Sequence, residues 1–393
     1  MARTTIDSQL TARRRSRVRF ELATDNDDAE IRRLLRENPM PGQIALSPER
    51  EPDYFADANL FGGEKQTIIA REAGRIVCMG NCAVQSRMIN GQPRRVGYLG
   101  GLRLDGNSAG RFDIVRRGYE FFRELQADTP ADFYFTSIAA DNARARNFLE
   151  RDLPGMPAYR FLADFVTLLV PVPRNLRNLK RFSERATKTK TLDGLNCISG
   201  SKEYVVELIS CLNKFAKQTQ LAAFWTESDL HSLKKLGLSL ADFHLILEDD
   251  KIIACAALWD QRCFKQIVIR GYSRKISLAG PWVNLAAKLF GTSRLPPVNS
   301  ALAFALLSPL AAPADKPQLL LALVESALAV AAERGLEFLT LGFAAGDARL
   351  EMMRNHFRCR EYHTRLYRVL WSDMNPTEVV FDDQPFLPEV SLL

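Results

Sequence analysis

The 393-residue chain has only four histidines, and its seven cysteines never fall as C-x-x-C; the closest pair, Cys78 and Cys82, is separated by three residues. That scatter, with an odd count, excludes a closed disulfide frame and a zinc ribbon, and predicts reduced thiols in a cytoplasmic protein without a metal. His231, His244, His356 and His363 have no ligand spacing with one another or with a cysteine. Long apolar runs are also missing. The most apolar stretch, 319–332, is interrupted by Glu325 and is shorter than the ~20 residues that cross a bilayer, so no membrane span is expected. The Arg-rich start turns acidic by Asp25 without an apolar segment, so a signal peptide is not expected.

Excess acid is lacking as well: the net charge is +7, but it is unevenly placed. Residues 1–20 carry six Arg against Asp7, and residues 174–190 carry seven basic residues against Glu184. Without those two segments the remainder is mildly acidic, at about −4, so the basic character belongs to an arm and a linker and nucleic acid is an unlikely general partner. With 47% hydrophobic and 25% charged residues, the chain is long enough for two globular domains.

The patterning predicts a repeated plan. A strand over 17–23 precedes Asp25-Asn26-Asp27-Asp28, which offers cap oxygens to a helix with Ile31, Leu34 and Leu35 on one face, ending before Pro39. A Pro- and acid-rich loop or short helix is expected over 39–63. Strands over 66–71 and 75–84 flank the Glu72-Ala73-Gly74 turn, and a strand over 96–104 follows the Asn90-Gly91 turn. Ile114, Gly118, Phe121, Phe122 and Leu125 repeat as one face of a helix. A strand at 133–138, a helix through Leu149 and a strand at 165–172 complete the first half. The second half repeats the order: a helix over 204–215, strands at 243–247, 251–259, 264–272 and 301–307, a helix over 319–334, a strand at 338–343, a helix over 347–354 and a strand at 364–371.

On this plan, and on Phe20-Glu21-Leu22-Ala23-Thr24, Arg75-Ile76-Val77-Cys78-Met79-Gly80, Tyr98-Leu99-Gly100-Gly101-Leu102-Arg103-Leu104 and the N-x-x-A stretch Asn142-Ala143-Arg144-Ala145, the sequence resembles the GNAT acyltransferase superfamily. The resemblance implies an α/β fold of two tandem GNAT-like domains, at 18–172 and 195–373, each a mixed, mostly antiparallel central sheet flanked by helices. A flexible basic arm (1–17), a basic linker (173–194) and a tail (374–393) surround them. It implies an N-acyltransferase taking an acetyl or longer acyl group from acyl-CoA to an amine. The acyl-CoA would lie in the first domain against Leu102, Leu104, Ser108, Ala109, Gly110, Arg111 and Asn142. Its diphosphate would meet N–H groups at a helix start, and a bulged strand would donate an N–H to the thioester oxygen.

The family loop Q/R-x-x-G-x-G/A is not preserved: Phe112 and Ile114 stand where its glycines fall, and Leu149 replaces its frequent tyrosine acid. Tyr98 and Tyr119 are the remaining candidate proton donors. The Ser308–Pro313 stretch replaces a Gly-rich loop in the second half, which is therefore expected to be the less active copy. Two other readings stay open: a catalytically inactive GNAT-fold scaffold, and an aminoacyl-tRNA-dependent ligase with the basic linker on tRNA.

Overall fold

The strands and helices expected from the pattern are present in their expected order, with further elements between them. The computed structural model describes residues 18–60, 63–173, 196–278, 295–371 and 379–393. The first half runs β1 (Arg19–Leu22), α1 (Asp28–Glu37), β2 (Ile44–Glu49), β3 (Glu64–Glu72), β4 (Arg75–Ile89), β5 (Gln92–Leu104), α2 (Phe112–Leu125), β6 (Phe133–Ala139), α3 (Ala143–Leu149) and β7 (Ala158–Pro171). The second comprises β8 (Asn196–Ser199), α4 (Val205–Ala216), α5 (Glu227–Leu233), β9 (Phe243–Glu248), β10 (Lys251–Trp259), β11 (Gln266–Tyr272), β12 (Phe304–Ala311), α6 (Pro317–Glu333), β13 (Phe338–Ala344), α7 (Ala348–His356) and β14 (Arg360–Leu370). The arm, the linker beyond Pro173 and residues 374–378 of the tail lie outside the described residues. No described helix is long and apolar enough to cross a membrane.

Local chemistry explains the elements that position the site. Thr24 donates its N–H to Asp27 Oδ2 at 2.8 Å, closing the turn before α1, which then buries Ile31, Leu34 and Leu35. Ile114, Val115 and Phe122 form the buried stripe of α2.

Twelve strands make one continuous sheet in the order β1-β3-β4-β5-β6-β14-β7-β13-β12-β10-β9-β8. The last strand of each half has crossed over. β7 pairs with β13 from Phe165 to Pro171, and β14 pairs with β6 from Thr364 to Arg368 as well as with β7. The two halves therefore share backbone hydrogen bonds in a common core, where Val166, Leu168 and Val170 of β7 pack with Leu339 and Leu341 of β13. Arg87, completely buried, adds a polar tie: it donates to the Leu221 carbonyl at 2.9 Å and to Gln85 Oε1 at 2.8 Å, with Glu389 4.0 Å away.

The structure corrects three local expectations. The segment 39–63, read as loop or short helix, contains β2, which pairs antiparallel with β11 (Ile44↔Tyr272 to Glu49↔Gln266) in a separate two-stranded sheet. Its partner lies more than two hundred residues away, so local pattern could not reveal it. Ser308-Pro309-Leu310-Ala311, read as a loop, continues β12, where the register against β10 shifts between Leu307 and Leu310. Strand β8 and helix α5 were not anticipated.

One buried histidine sets a pH response. His244 on β9 shares a 2.9 Å hydrogen bond with Ser326 on α6, and burial, reinforced by Arg334, pushes its pKa down to about 4. An unfolded histidine titrates near 6.5, so between those values the unfolded chain binds the extra proton and stability falls as pH falls. We expect roughly 3 kcal/mol to be lost across that window in denaturant titrations, and His244→Gln to flatten the slope.

Candidate active site

Strands β5 and β6 run parallel and pair only over Val96–Tyr98 against Phe133–Phe135. Past Tyr98 they diverge, and the edge of β5 that faced β6 has no strand partner among the described residues. At the point of divergence Thr136 Oγ1 donates to the Leu99 carbonyl at 2.6 Å. On its other edge β5 carries a bulge: Met79 faces Arg103 while Asn81 faces Gly100, so three steps of β5 oppose two of β4. Gly101, at φ +62°, makes that bulge possible. A Cβ there would stand 2.3 Å from Asn81 Nδ2.

The gap opens into a cavity of about 310 Å³ lined by Tyr98, Leu102, Tyr119 and Asn142 among the predicted residues. Tyr362 on β14 closes it from the second half. The two faces of the gap differ. Leu104, opposite Cys78, packs with Ile114 on the α2 side. Arg103, opposite Met79, shares the other face, where Met79 packs with Tyr54 and α1.

Both candidate tyrosines keep their protons at neutral pH. Tyr98 is hydrogen-bonded to Ser137 Oγ at 2.9 Å, and burial raises its pKa. Tyr119, bonded to Tyr159, is pushed up to about 12 by burial. Cys78 and Cys82, the thiols nearest the gap, are likewise pushed up to about 12 by burial, so neither is a thiolate nucleophile.

Of the predicted residues, Leu104 and the turn before α2 stand apart from this cavity, whereas Asn142 does not. Asn142 caps α3 by accepting the Ala145 N–H at 3.1 Å and also lines the gap. Ser108, Ala109, Gly110 and Arg111 form the turn before α2, outside the cavity lining. Within that turn the N–H groups of Ser108, Ala109, Arg111 and Phe112 bond to the carbonyls of Asp105, Gly106, Ser108 and Gly110. Arg111 is held by Asp113, at 3.1 Å, and by Glu72, which raise its pKa.

Sequence reading missed several polar groups on the Tyr98 face. Tyr98 and Asn81 also line a small void of about 60 Å³ walled by Arg50, Asp57, Lys65 and Lys265, with the exposed Glu64 at its edge. Asp57 bonds both Arg50 and Lys65, and these two outweigh burial to hold its carboxyl well below the usual range. Burial and Arg50 push Lys65 down to about 8 and Lys265 to about 7; Lys265 Nζ donates to the Leu393 main-chain oxygen at 2.7 Å. The sequence carries no local signal for them, because Arg50, Asp57 and Lys265 lie outside the strands and Lys65 sits at the polar start of β3.

The second half repeats the divergence, with β12 and β13 paired parallel only over Phe304–Leu306 and Phe338–Thr340. Its cavity, about 660 Å³, is mainly apolar and roofed by residues 385–390 of the tail. The Arg349 guanidinium there is bound to Asp347 and to the Ala312 carbonyl. Among the described residues no cluster of His, Cys, Asp and Glu is arranged to hold a metal.

Solved structures share this architecture over nearly the whole chain. A Saccharomyces cerevisiae N-myristoyltransferase with bound myristoyl-CoA aligns with a TM-score of 0.60 and 10% identity, covering 94% of this chain and 84% of that one. A second structure of that enzyme with myristoyl-CoA gives 0.58 at 12% identity, covering 93% and 87%. A GCN5-related N-acetyltransferase from Sphaerobacter thermophilus gives 0.50 at 12% identity, covering 92% and 98%. No protein-family model matches the sequence, and no curated protein matches it. At these identities the likeness is one of fold: the chain has the GNAT fold.

Proposed function

We propose that the protein is an acyl-CoA-dependent N-acyltransferase whose acyl-CoA lies in the first half, between β5 and the start of α2. The observation that carries this reading is the bulged β5 diverging from β6 to leave a cavity beside an unpaired strand edge. The structural neighbours crystallised with myristoyl-CoA support the choice of donor. Such an edge can donate a backbone N–H to the thioester oxygen as the tetrahedral intermediate forms, an interaction typically contributing ~10²–10³ in rate. The amine nitrogen bonds to the acyl carbon, the C–S bond breaks, and the amine's proton passes to solvent water, which also restores the proton that the acid gives to the thiolate. Tyr98, still protonated at neutral pH, is placed to hand a proton to the departing thiolate. The predicted contacts of Leu104, Ser108, Ala109, Gly110 and Arg111 fall at the outer end of this path, where the diphosphate would run.

Titration calorimetry with acetyl-CoA and a long-chain acyl-CoA tests the donor. Binding with turnover to free CoA supports the proposal. Tyr98→Phe is expected to lower kcat by about tenfold while leaving acyl-CoA affinity unchanged, the modest size reflecting a thiol of pKa ~8.5. The inactive-scaffold reading is favoured by the turn at 106–112, whose N–H groups already bond internally. Failure of both thioesters to bind would establish it.

A further inference from the structure

Arg103 is a cation without a counter-ion. Its Nε is buried and makes no hydrogen bond among the described residues, and no carboxylate is paired with it. Burial lowers its pKa, showing how strongly the surroundings disfavour its charge. Arg103 as a whole is half-buried, so its Nε is shielded while the guanidinium can still be reached by an anion that would complete its hydrogen bonds. Arg111, by contrast, already has Asp113 and Glu72, and Arg71 has Glu21, Asp27 and Glu30.

The position of Arg103 says which anion. It lines the 310 Å³ cavity, yet projects from β5 on the face of Met79, opposite to Leu104 and α2. A diphosphate at the start of α2 would lie on the other face of the strand. The face that Arg103 shares is that of Asn81, which contacts Tyr54, and Asn81 together with Tyr98 borders the void walled by Arg50, Lys65 and Lys265. Asp57, which holds both Arg50 and Lys65, and the exposed Glu64 are the carboxylates at that void, and Lys265, pushed down to about 7, is only partly charged at neutral pH, so Arg103 is the unpaired cation of this face among the described residues. An unpaired guanidinium attracts an acid group and repels an acceptor bearing several positive charges.

The geometry points to an acceptor amine that also carries a carboxylate, a free amino acid or short peptide, with that carboxylate bound by the Arg103 guanidinium. The assignment rests on the acyltransferase reading for the amine, but the anion site can be tested without turnover. Calorimetry would compare a panel of N-acetyl amino acids, the products of such a reaction, with their C-terminal amides. The acids are expected to bind the wild-type protein ten- to a hundredfold more tightly. Arg103→Met should abolish that preference, and Arg103→Lys should retain part of it, since a point charge lacks the bidentate fork. All three proteins should still bind acyl-CoA, with a change far smaller than the loss of acid preference, although Arg103 shares the wall of that cavity.

Equal binding of acids and amides by the wild type would overturn the inference, as would a preference that survives Arg103→Met. Loss of acyl-CoA binding in Arg103→Met would overturn it too, placing the guanidinium on a donor phosphate. If the wild type binds no acyl-CoA but still selects acids, the anion site stands and the acyltransferase reading falls.

Discussion

Replacing Gly101 by valine is expected to reduce acyl transfer by at least about a hundredfold, the usual scale for losing one oxyanion donor. The residue sits at φ +62°, and its added Cβ would meet Asn81 Nδ2 at 2.3 Å. Either the bulge flattens or Asn81 moves, and both change the edge of β5 that faces the gap. Backbone strain alone costs about 1–3 kcal/mol, so a loss of activity has to be separated from a loss of fold. Gly74→Ala supplies the control: its φ is +82° and nothing lies within 4 Å of the new Cβ, far from the gap. That variant should lose comparable stability in denaturant titration and keep its turnover. If Gly101→Val retains wild-type kcat, the divergence of β5 and β6 is not where the thioester reacts.

Asp57→Asn is expected to be the most destabilising single polar change near the site, by ~3–5 kcal/mol, because it leaves Arg50 and Lys65 buried against each other without their shared acid. The pH sign follows from the direction of its shift. A carboxyl held below its ordinary value of 3.8 contributes stability that is complete above that value and is lost as pH falls below it. The window lies below that of His244, which acts between about 6.5 and 4. Wild-type protein should therefore unfold in two acid-sensitive stages, and Asp57→Asn should remove the lower one. A variant with wild-type stability at pH 7 would show that Arg50 and Lys65 are not held in place by this residue.

The strand exchange bears on both results. Tyr362, which closes the acyl cavity, belongs to β14 of the second half, and Lys265 and Leu393 border the void behind Tyr98. The first half therefore does not complete its own site, although the gap itself is built from β5 and β6. In the second half the matching gap is roofed by the tail, with Ser391 Oγ 2.8 Å from Ser308 Oγ.

What the sequence by itself determined was local. The period of Ile114, Gly118, Phe121, Phe122 and Leu125 required a helix with one apolar face, of which Ile114 and Phe122 are buried, and the Ala73-Gly74 and Asn90-Gly91 pairs required turns, realised with positive φ at all four residues. Those signals, repeated twice and read with the family resemblance, were enough for the GNAT-like architecture; that Tyr98, Leu102, Tyr119 and Asn142 line one cavity is seen only in the folded chain. Three further things were decided only there. β7 and β14 each pair antiparallel with a strand on both sides, and no local pattern specifies those partners, so their exchange between halves depends on long-range pairing. β2 interrupts its pattern with Pro48 and finds its partner in β11. The isolation of Arg103 appears only when β4 and β5 are paired around the bulge, because a charge is unpaired by virtue of what surrounds it in space, and adjacent letters carry no record of that.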